Sequence, residues 1–87
     1  MDILICDDEP LAIERLSRLV SQLGHQVVAT ASHGQQAIEL TQQYEPDVVL
    51  LDIQMPEMDG LTCAHYLRQL EPMPALVFCT AYDEHAL

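Results

Sequence analysis

A chain of 87 residues with 14 acidic residues, three arginines and no lysine carries a formal net charge of -11 and has room for one domain. Such a surface repels phosphate backbones, so we expect no nucleic acid binding by this chain itself. No stretch approaches the ~20 apolar residues of a membrane span, and no secretory signal precedes the first apolar run. The sequence therefore predicts a cytoplasmic protein without a membrane partner.

The three cysteines are odd in number and show no metal-ligand spacing. Cys6 and Cys79 lie inside apolar runs that read as strands, where thiols behave as small buried apolar groups. We therefore expect no disulfide framework, which agrees with a reducing compartment.

The first third of the chain predicts a strand followed by a helix. The apolar run at residues 2–6 is typical of a strand buried on both faces, and Pro10 suits the first turn of a helix over residues 11–23. Gly24 is the expected helix stop. Five positions of this helix recur at intervals of three and four and should face the core: Ala12, Leu16, Leu19, Val20 and Leu23.

A second strand and helix follow at residues 26–31 and 34–44. Ser32 is the expected N-terminal cap of this helix. Four of its residues should lie on the inner side: Ala37, Leu40, Thr41 and Tyr44.

The remaining pattern predicts a third strand at residues 48–51, a helix at residues 61–70 and a fourth strand at residues 75–79. Asp59-Gly60 is a sequence typical of a turn, and it precedes the third helix. Cys63, Ala64 and Leu67 should face inward on that helix. Because strands and helices alternate, we predict a doubly wound α/β fold with a parallel sheet.

Acidic residues follow two of the predicted strands. Asp7 and Asp8 come after the first strand and Asp52 after the third, at the carboxyl ends where α/β proteins bind ligands. If these strands are neighbours, the three carboxylates converge, and at least one stays protonated unless a cation compensates the charge. Mg²⁺ suits such a site because it prefers hard oxygen ligands.

The same placement favours phosphoryl chemistry on Asp52. A carboxylate can attack phosphorus and form an acyl phosphate. At the tip of the fourth strand, Thr80 can hydrogen-bond to the phosphoryl oxygens, and the small Ala81 leaves the approach open. The alternative interpretation is that the acids at Asp7 and Asp8 only stabilise the start of a helix.

Three motifs together resemble the receiver domain of two-component response regulators, and the resemblance covers the whole chain. They are the Asp7-Asp8 pair, Thr80-Ala81 and the segment at residues 50–60, Leu-Leu-Asp-Ile-Gln-Met-Pro-Glu-Met-Asp-Gly. The resemblance implies a flavodoxin-like fold in which Asp52 accepts a phosphoryl group from a sensor histidine kinase.

The resemblance also implies roles for the other site residues. Asp8, Asp52 and the backbone carbonyl of Gln54 would bind Mg²⁺ directly, Asp7 would bind it through water, and Thr80 would be the switch hydroxyl. The segments at residues 8–12 and 78–87 look like receivers joined to LytTR-type DNA-binding domains, as in alginate-biosynthesis regulators. We therefore expect a phosphoprotein, not a turnover enzyme, that controls transcription through an output domain outside this chain.

The chain departs from the receiver pattern at its end. Receivers continue into a fifth strand, which carries a lysine and an aromatic residue of the site, and a fifth helix. We therefore expect one receiver domain over residues 1–87, incomplete at its C-terminus, with strand order 2-1-3-4. Mg²⁺ binding should persist while phosphorylation weakens, and the exposed edge of the fourth strand should promote dimers or other self-association.

Two other functions remain open from the sequence. Haloacid-dehalogenase-like phosphatases also phosphorylate an aspartate, but on the first strand with a second acid two residues later. Here Asp7 is followed two places on by Glu9, which is a poor match. The second alternative is a dimerisation module that has lost phosphorylation.

Overall fold

Strands and helices alternate along the chain, as the sequence predicts. A computed structural model describes residues 1–55 and 58–79 of the chain. The strands are β1 Asp2–Cys6, β2 Gln26–Ala31, β3 Val48–Asp52 and β4 Ala75–Cys79. The helices are α1 Pro10–Gln22, α2 Gly34–Tyr44 and α3 Gly60–Leu67. The strands form one parallel sheet in the order β2-β1-β3-β4, which confirms the predicted doubly wound fold.

The core lies on both faces of the sheet because successive strand residues point to opposite sides. On one face Ile3 and Ile5 of β1 pack with Val20 of α1. On the other face Leu4 and Cys6 pack with residues of α2 and α3. The predicted inward positions of α3 are confirmed, since its three buried side chains are Cys63, Ala64 and Leu67.

Three predicted core positions are wrong: Leu19, Leu23 and Tyr44 are exposed. On α1 the side facing the sheet is formed by Ile13, Leu16 and Val20, which are three and four residues apart. Leu19 is turned about 100° around the axis from Val20 and so leaves this narrow face. Leu23 lies beyond the last residue of α1, and Tyr44 is the last residue of α2.

The helix ends show which local signals were correct. Gly24 follows α1 with a φ of +87°, a left-handed conformation that glycine adopts without a Cβ clash, so the predicted stop is confirmed. The predicted cap of α2 is wrong by one residue. His33 is the N-cap, and its Nδ1 accepts the backbone N–H of Gln36 at 3.2 Å. Ser32 instead bonds the side-chain oxygen of Gln36.

Helix α3 ends at Leu67, earlier than the predicted residue 70. The reason is a change in hydrogen bonding after this residue. The amides of Gln69 and Leu70 donate to carbonyls three residues back, at 3.1 and 3.2 Å, so the chain tightens and leaves the α-helical path. Among the described helices, none has both the length and the apolar character needed to cross a membrane.

Candidate functional site

The carboxyl ends of β1 and β3 lie side by side and carry the acidic residues. The register pairs Cys6 with Leu51, so Asp7, which follows β1, and Asp52, the last residue of β3, lie at the same edge of the sheet. The oxygens that Asp7, Asp8 and Asp52 offer all lie within 4.8 Å of one another. The structure therefore brings together the three acids that the sequence places at neighbouring strand ends.

Two of these acids are held in place by hydrogen bonds to nearby amides. One carboxylate oxygen of Asp7 accepts the N–H of Glu9 at 2.9 Å, and one oxygen of Asp52 accepts the N–H of Gln54 at 3.2 Å. Both bonds join residues two apart, the local pattern that aspartate favours in turns. Each carboxylate is thereby fixed in orientation while its other oxygen remains available for a ligand.

Burial and mutual repulsion make the ionised form of these carboxylates unfavourable. Asp7 and Asp52 are only 8% and 5% exposed, whereas Asp8 is open to solvent. Burial raises the pKa of Asp7 and of Asp52, and the charges of neighbouring acids raise both further. In residues 1–55 and 58–79 the single ion pair joins Arg18 to Glu14 on α1. No arginine of that part of the chain is therefore paired with the acidic cluster.

The donor set of this cluster fits a hard divalent cation. Its oxygens are carboxylate oxygens, which suit Mg²⁺ better than softer metals. A bound cation would compensate the charge that burial and repulsion make unfavourable. The spacing within the cluster is short enough for one ion to contact more than one of these acids.

The loop after β3 is anchored to the core on both sides of Gln54. On one side, the Asp52 carboxylate accepts the amide N–H of Gln54. On the other side, Met55, which follows Gln54, is buried, and its Sδ lies 3.3 Å from the Sγ of Cys6. Gln54 itself has an exposed side chain and lies beside the acidic cluster. That its backbone carbonyl binds a metal stays a prediction.

Helix α3 begins directly against the end of β3. The Gly60 amide donates to the carbonyl oxygen of Ile53 at 2.7 Å. A Cβ on Gly60 would lie 2.6 Å from the Ile53 Cα and would overlap the carbonyl oxygen of Asp52. The sequence signal at Asp59-Gly60 indicated a turn, but the close approach of Gly60 to the phosphoacceptor candidate depends on tertiary structure.

Two predicted site residues, Thr80 and Ala81, lie outside the described residues, and their roles stay predictions. The cysteines are free, with Cys6 and Cys63 buried and Cys79 half-buried. Burial raises the pKa of Cys6 to about 12 and that of Cys63 to about 11, so both are neutral thiols at pH 7. The expectation that Cys6 packs in the core is confirmed.

Comparison with known proteins gives a consistent result. Residues 3–87 match the family described as the response regulator receiver domain. The chain is 55% identical over 89 residues to the positive alginate biosynthesis regulatory protein of Pseudomonas aeruginosa, with 100% of this chain and 36% of that protein covered. It is 34% identical to the chemotaxis protein CheY of Bacillus subtilis, with 98% of this chain and 71% of that protein covered.

The structural comparison agrees with the sequence comparison. The fold matches a chain of the CheX-CheY-BeF3-Mg complex from Borrelia burgdorferi with a TM-score of 0.88 and 27% identity, covering 99% of this chain and 66% of that one. This chain spans about a third of the length of the alginate regulator. The family match over nearly the whole chain, the four-stranded order and the acidic cluster at the sheet edge lead to one assignment. The chain belongs to the response regulator receiver domain family.

Proposed function

We propose that Asp52 accepts a phosphoryl group from a sensor histidine kinase and thereby switches the activity of a longer regulatory protein. The observation that carries this proposal is the cluster of Asp7, Asp8 and Asp52 at the carboxyl ends of β1 and β3. The family membership adds that the cluster belongs to a receiver, a signalling domain of the two-component system and generally not a turnover enzyme.

In the proposed reaction a carboxylate oxygen of Asp52 attacks the phosphorus of a phosphohistidine. The new O–P bond forms while the P–N bond breaks, and the leaving imidazole nitrogen takes up a proton from water. The bond from the Gln54 amide fixes the Asp52 side chain, so little orientational freedom is lost on reaction. Asp52 must be ionised to attack, which its burial opposes.

Mg²⁺ is the proposed cofactor of this site. Asp8, Asp52 and the Gln54 carbonyl would hold it directly, and Asp7 would hold it through water. When bound, the ion supplies positive charge that offsets the repulsion between the carboxylates and an incoming phosphoryl group. The matched Borrelia complex is named for Mg together with BeF3, which supports Mg²⁺ as the ion proposed for the present chain.

The proposed output is transcription control by a DNA-binding domain outside this chain. The alginate regulator is about three times as long as the matched region and is named for positive regulation of biosynthesis. The acyl phosphate would shift an existing equilibrium of the receiver, with the predicted Thr80 hydroxyl and the access position Ala81 taking part. We assign the chain to the cytoplasm because its three cysteines are free thiols, as expected in a reducing compartment.

Self-association is the remaining part of the proposal. Within residues 1–55 and 58–79, β4 is the outer strand of the sheet and pairs with β3 alone, and its large side chains Val77 and Phe78 are exposed. An edge of this kind favours the addition of a strand from another chain. We expect a second copy of the chain to occupy this edge.

Incubation with Mg²⁺ and acetyl phosphate, followed by intact-protein mass measurement, tests the phosphoacceptor role. The wild-type chain should gain the mass of one phosphoryl group, and Asp52→Asn should gain none. Asp59→Asn is the matched control, because Asp59 is an exposed acid that caps α3 in the same loop. Transfer from a phosphorylated sensor kinase under the same conditions tests the donor.

Absence of any mass gain in the wild-type chain would contradict the proposal and favour a dimerisation module. Steady consumption of acetyl phosphate that survives Asp52→Asn but disappears in Asp7→Asn would instead indicate a phosphatase that uses Asp7.

A further inference from the structure

A sulfur contact joins the two chain segments that carry the acidic cluster. The Sγ of Cys6 lies 3.3 Å from the Sδ of Met55, and both side chains are buried. Cys6 is the last residue of β1 and directly precedes Asp7. Met55 follows Gln54 in the loop after β3. The contact therefore joins the end of β1 to the loop after β3, the two segments next to the residues of the cluster.

The thiol of Cys6 also reaches a third segment. Its Sγ lies 3.6 Å from the carbonyl oxygen of His33, the N-cap of α2. A thiol is a weak donor, and here it has two acceptors within reach in a closely packed interior. Close-packed interiors transmit small displacements, so a change at Cys6 moves the neighbours that it contacts.

Gln54 is held from both sides by these contacts. Its amide donates to Asp52, and the residue after it is fixed by burial against Cys6. With both flanks fixed, the peptide between them has little freedom to shift relative to Asp7 and Asp8. Supporting residues of this kind orient the groups that touch a metal and commonly determine its affinity.

We propose that Cys6 and Met55 are positioning residues that set the spacing between the β1 acids and the Gln54 backbone in the metal site. This inference rests on the proposed function, because it concerns the Mg²⁺ of that site. Neither side chain touches the ion. Each acts through the segment that it anchors.

Cys63 provides a matched control. It is a fully buried thiol of the same core cluster, and its Sγ lies 3.6 Å from the carbonyl oxygen of Gly34. It therefore resembles Cys6 in burial, size and weak bonding to a backbone carbonyl. It belongs to α3, and not to β1 or to the loop after β3, the two segments that carry the acids. Removing either thiol should lower the unfolding temperature, but only removal of Cys6 should change the metal site.

The experiment measures the dissociation constant for Mg²⁺ by titration calorimetry under reducing conditions, with the unfolding temperature recorded for each variant. Cys6→Ala should weaken binding about 10-fold, the lower end of the range for loss of a supporting residue. Cys63→Ala should bind as tightly as the wild-type chain. Met55→Leu keeps the size and apolar character of the side chain, and it should also weaken binding because it removes the sulfur contact.

The double variant Cys6→Ala with Met55→Leu separates a shared role from general loosening. If the two residues act through one contact, the double variant binds no more weakly than Cys6→Ala alone. Unchanged affinity in both Met55→Leu and Cys6→Ala overturns the inference, and so does equal weakening by Cys63→Ala. If Cys6→Ala fails to fold, Met55→Leu alone decides in the same way.

Mg²⁺ binding by the wild-type chain separates a failure of the proposed metal site from a failure of the positioning role. If it binds no Mg²⁺, the proposed metal site fails and this inference fails with it. If it binds Mg²⁺ and Asp52→Asn abolishes binding, the metal site stands. The variants of Cys6 and Met55 then decide on the positioning role alone.

Discussion

The amide of Gly60 donates a 2.7 Å hydrogen bond to the carbonyl oxygen of Ile53, so the first turn of α3 rests on the end of the strand that carries Asp52. A side chain at Gly60 would meet backbone atoms of Asp52 and Ile53, which cannot move without displacing the strand end. The helix start and the phosphoacceptor candidate therefore share one rigid contact.

We predict that Gly60→Ala lowers the free energy of unfolding by about 1–3 kcal/mol, the usual range for overpacking. Gly34→Ala is the matched control, because Gly34 is also the first residue of a helix and is also buried. The three nearest atoms to a Cβ there all belong to the side chain of Met58, and the closest of them, its Sδ, lies near the flexible end of that side chain. Urea denaturation measures both variants. An equal loss in the two would contradict the assigned role of the backbone contact.

The buried acids should make stability depend on pH in the absence of metal. In the folded chain the pKa of Asp7 and of Asp52 is raised above the ordinary value of 3.8. The favourable contribution of these groups to the free energy of unfolding is therefore fully present below pH 3.8. It is lost as the pH rises through the folded pKa, when both carboxylates must ionise in a buried site.

Asp52→Asn should therefore be more stable than the wild-type chain at pH 7 without Mg²⁺, and the difference should shrink as the pH falls toward 4. Added Mg²⁺ should also reduce the difference by stabilising the wild-type chain. Thermal unfolding from pH 4 to pH 8 gives the measurement. Glu39→Gln, which removes an exposed carboxylate of α2, is the control for the loss of one negative charge. A wild-type chain that is more stable than Asp52→Asn throughout this range would refute the prediction.

Placing a charge on the edge strand should suppress the proposed self-association. Val77 lies on β4, and its side chain is 46% exposed. Val77→Lys places a positive charge at this position, and charged residues on edge strands oppose pairing with another strand. Leu19→Lys is the control, since Leu19 is similarly exposed at 51% but lies on α1. Light scattering over a range of concentrations should show larger species for the wild-type chain and Leu19→Lys than for Val77→Lys. A monomeric wild-type chain at high concentration would exclude the association.

The cap of α2 gives a separate test of local structure. His33→Ala removes the acceptor of the Gln36 amide and should lower stability by about 0.5–2 kcal/mol. His33→Asn retains a capping acceptor and should recover most of this loss. Ser32→Ala should have the smaller effect, because Ser32 is exposed and bonds only the side chain of Gln36 through its hydroxyl. The opposite ranking in chemical denaturation would restore Ser32 as the cap.

The order of elements could be predicted because each depends on local features of the chain. The apolar runs at β1 and β3 and the helix stop at Gly24 are signals within a few residues, and the structure has those elements there. Leu19 and Tyr44 were misassigned because the 3.6-residue period identifies a broad apolar stripe. Which part of that stripe meets the sheet depends on how the helix is rotated against it.

The sequence by itself determined which residues end the parallel strands, and therefore that Asp7, Asp8 and Asp52 stand at one edge once β1 and β3 are neighbours. Tertiary structure alone decided the support of that edge. Gly60 lies against Ile53, and Met55 lies against Cys6, through contacts between residues seven and 49 positions apart. Such contacts leave no local pattern in the sequence, because they arise only when packing brings distant segments within a few ångströms.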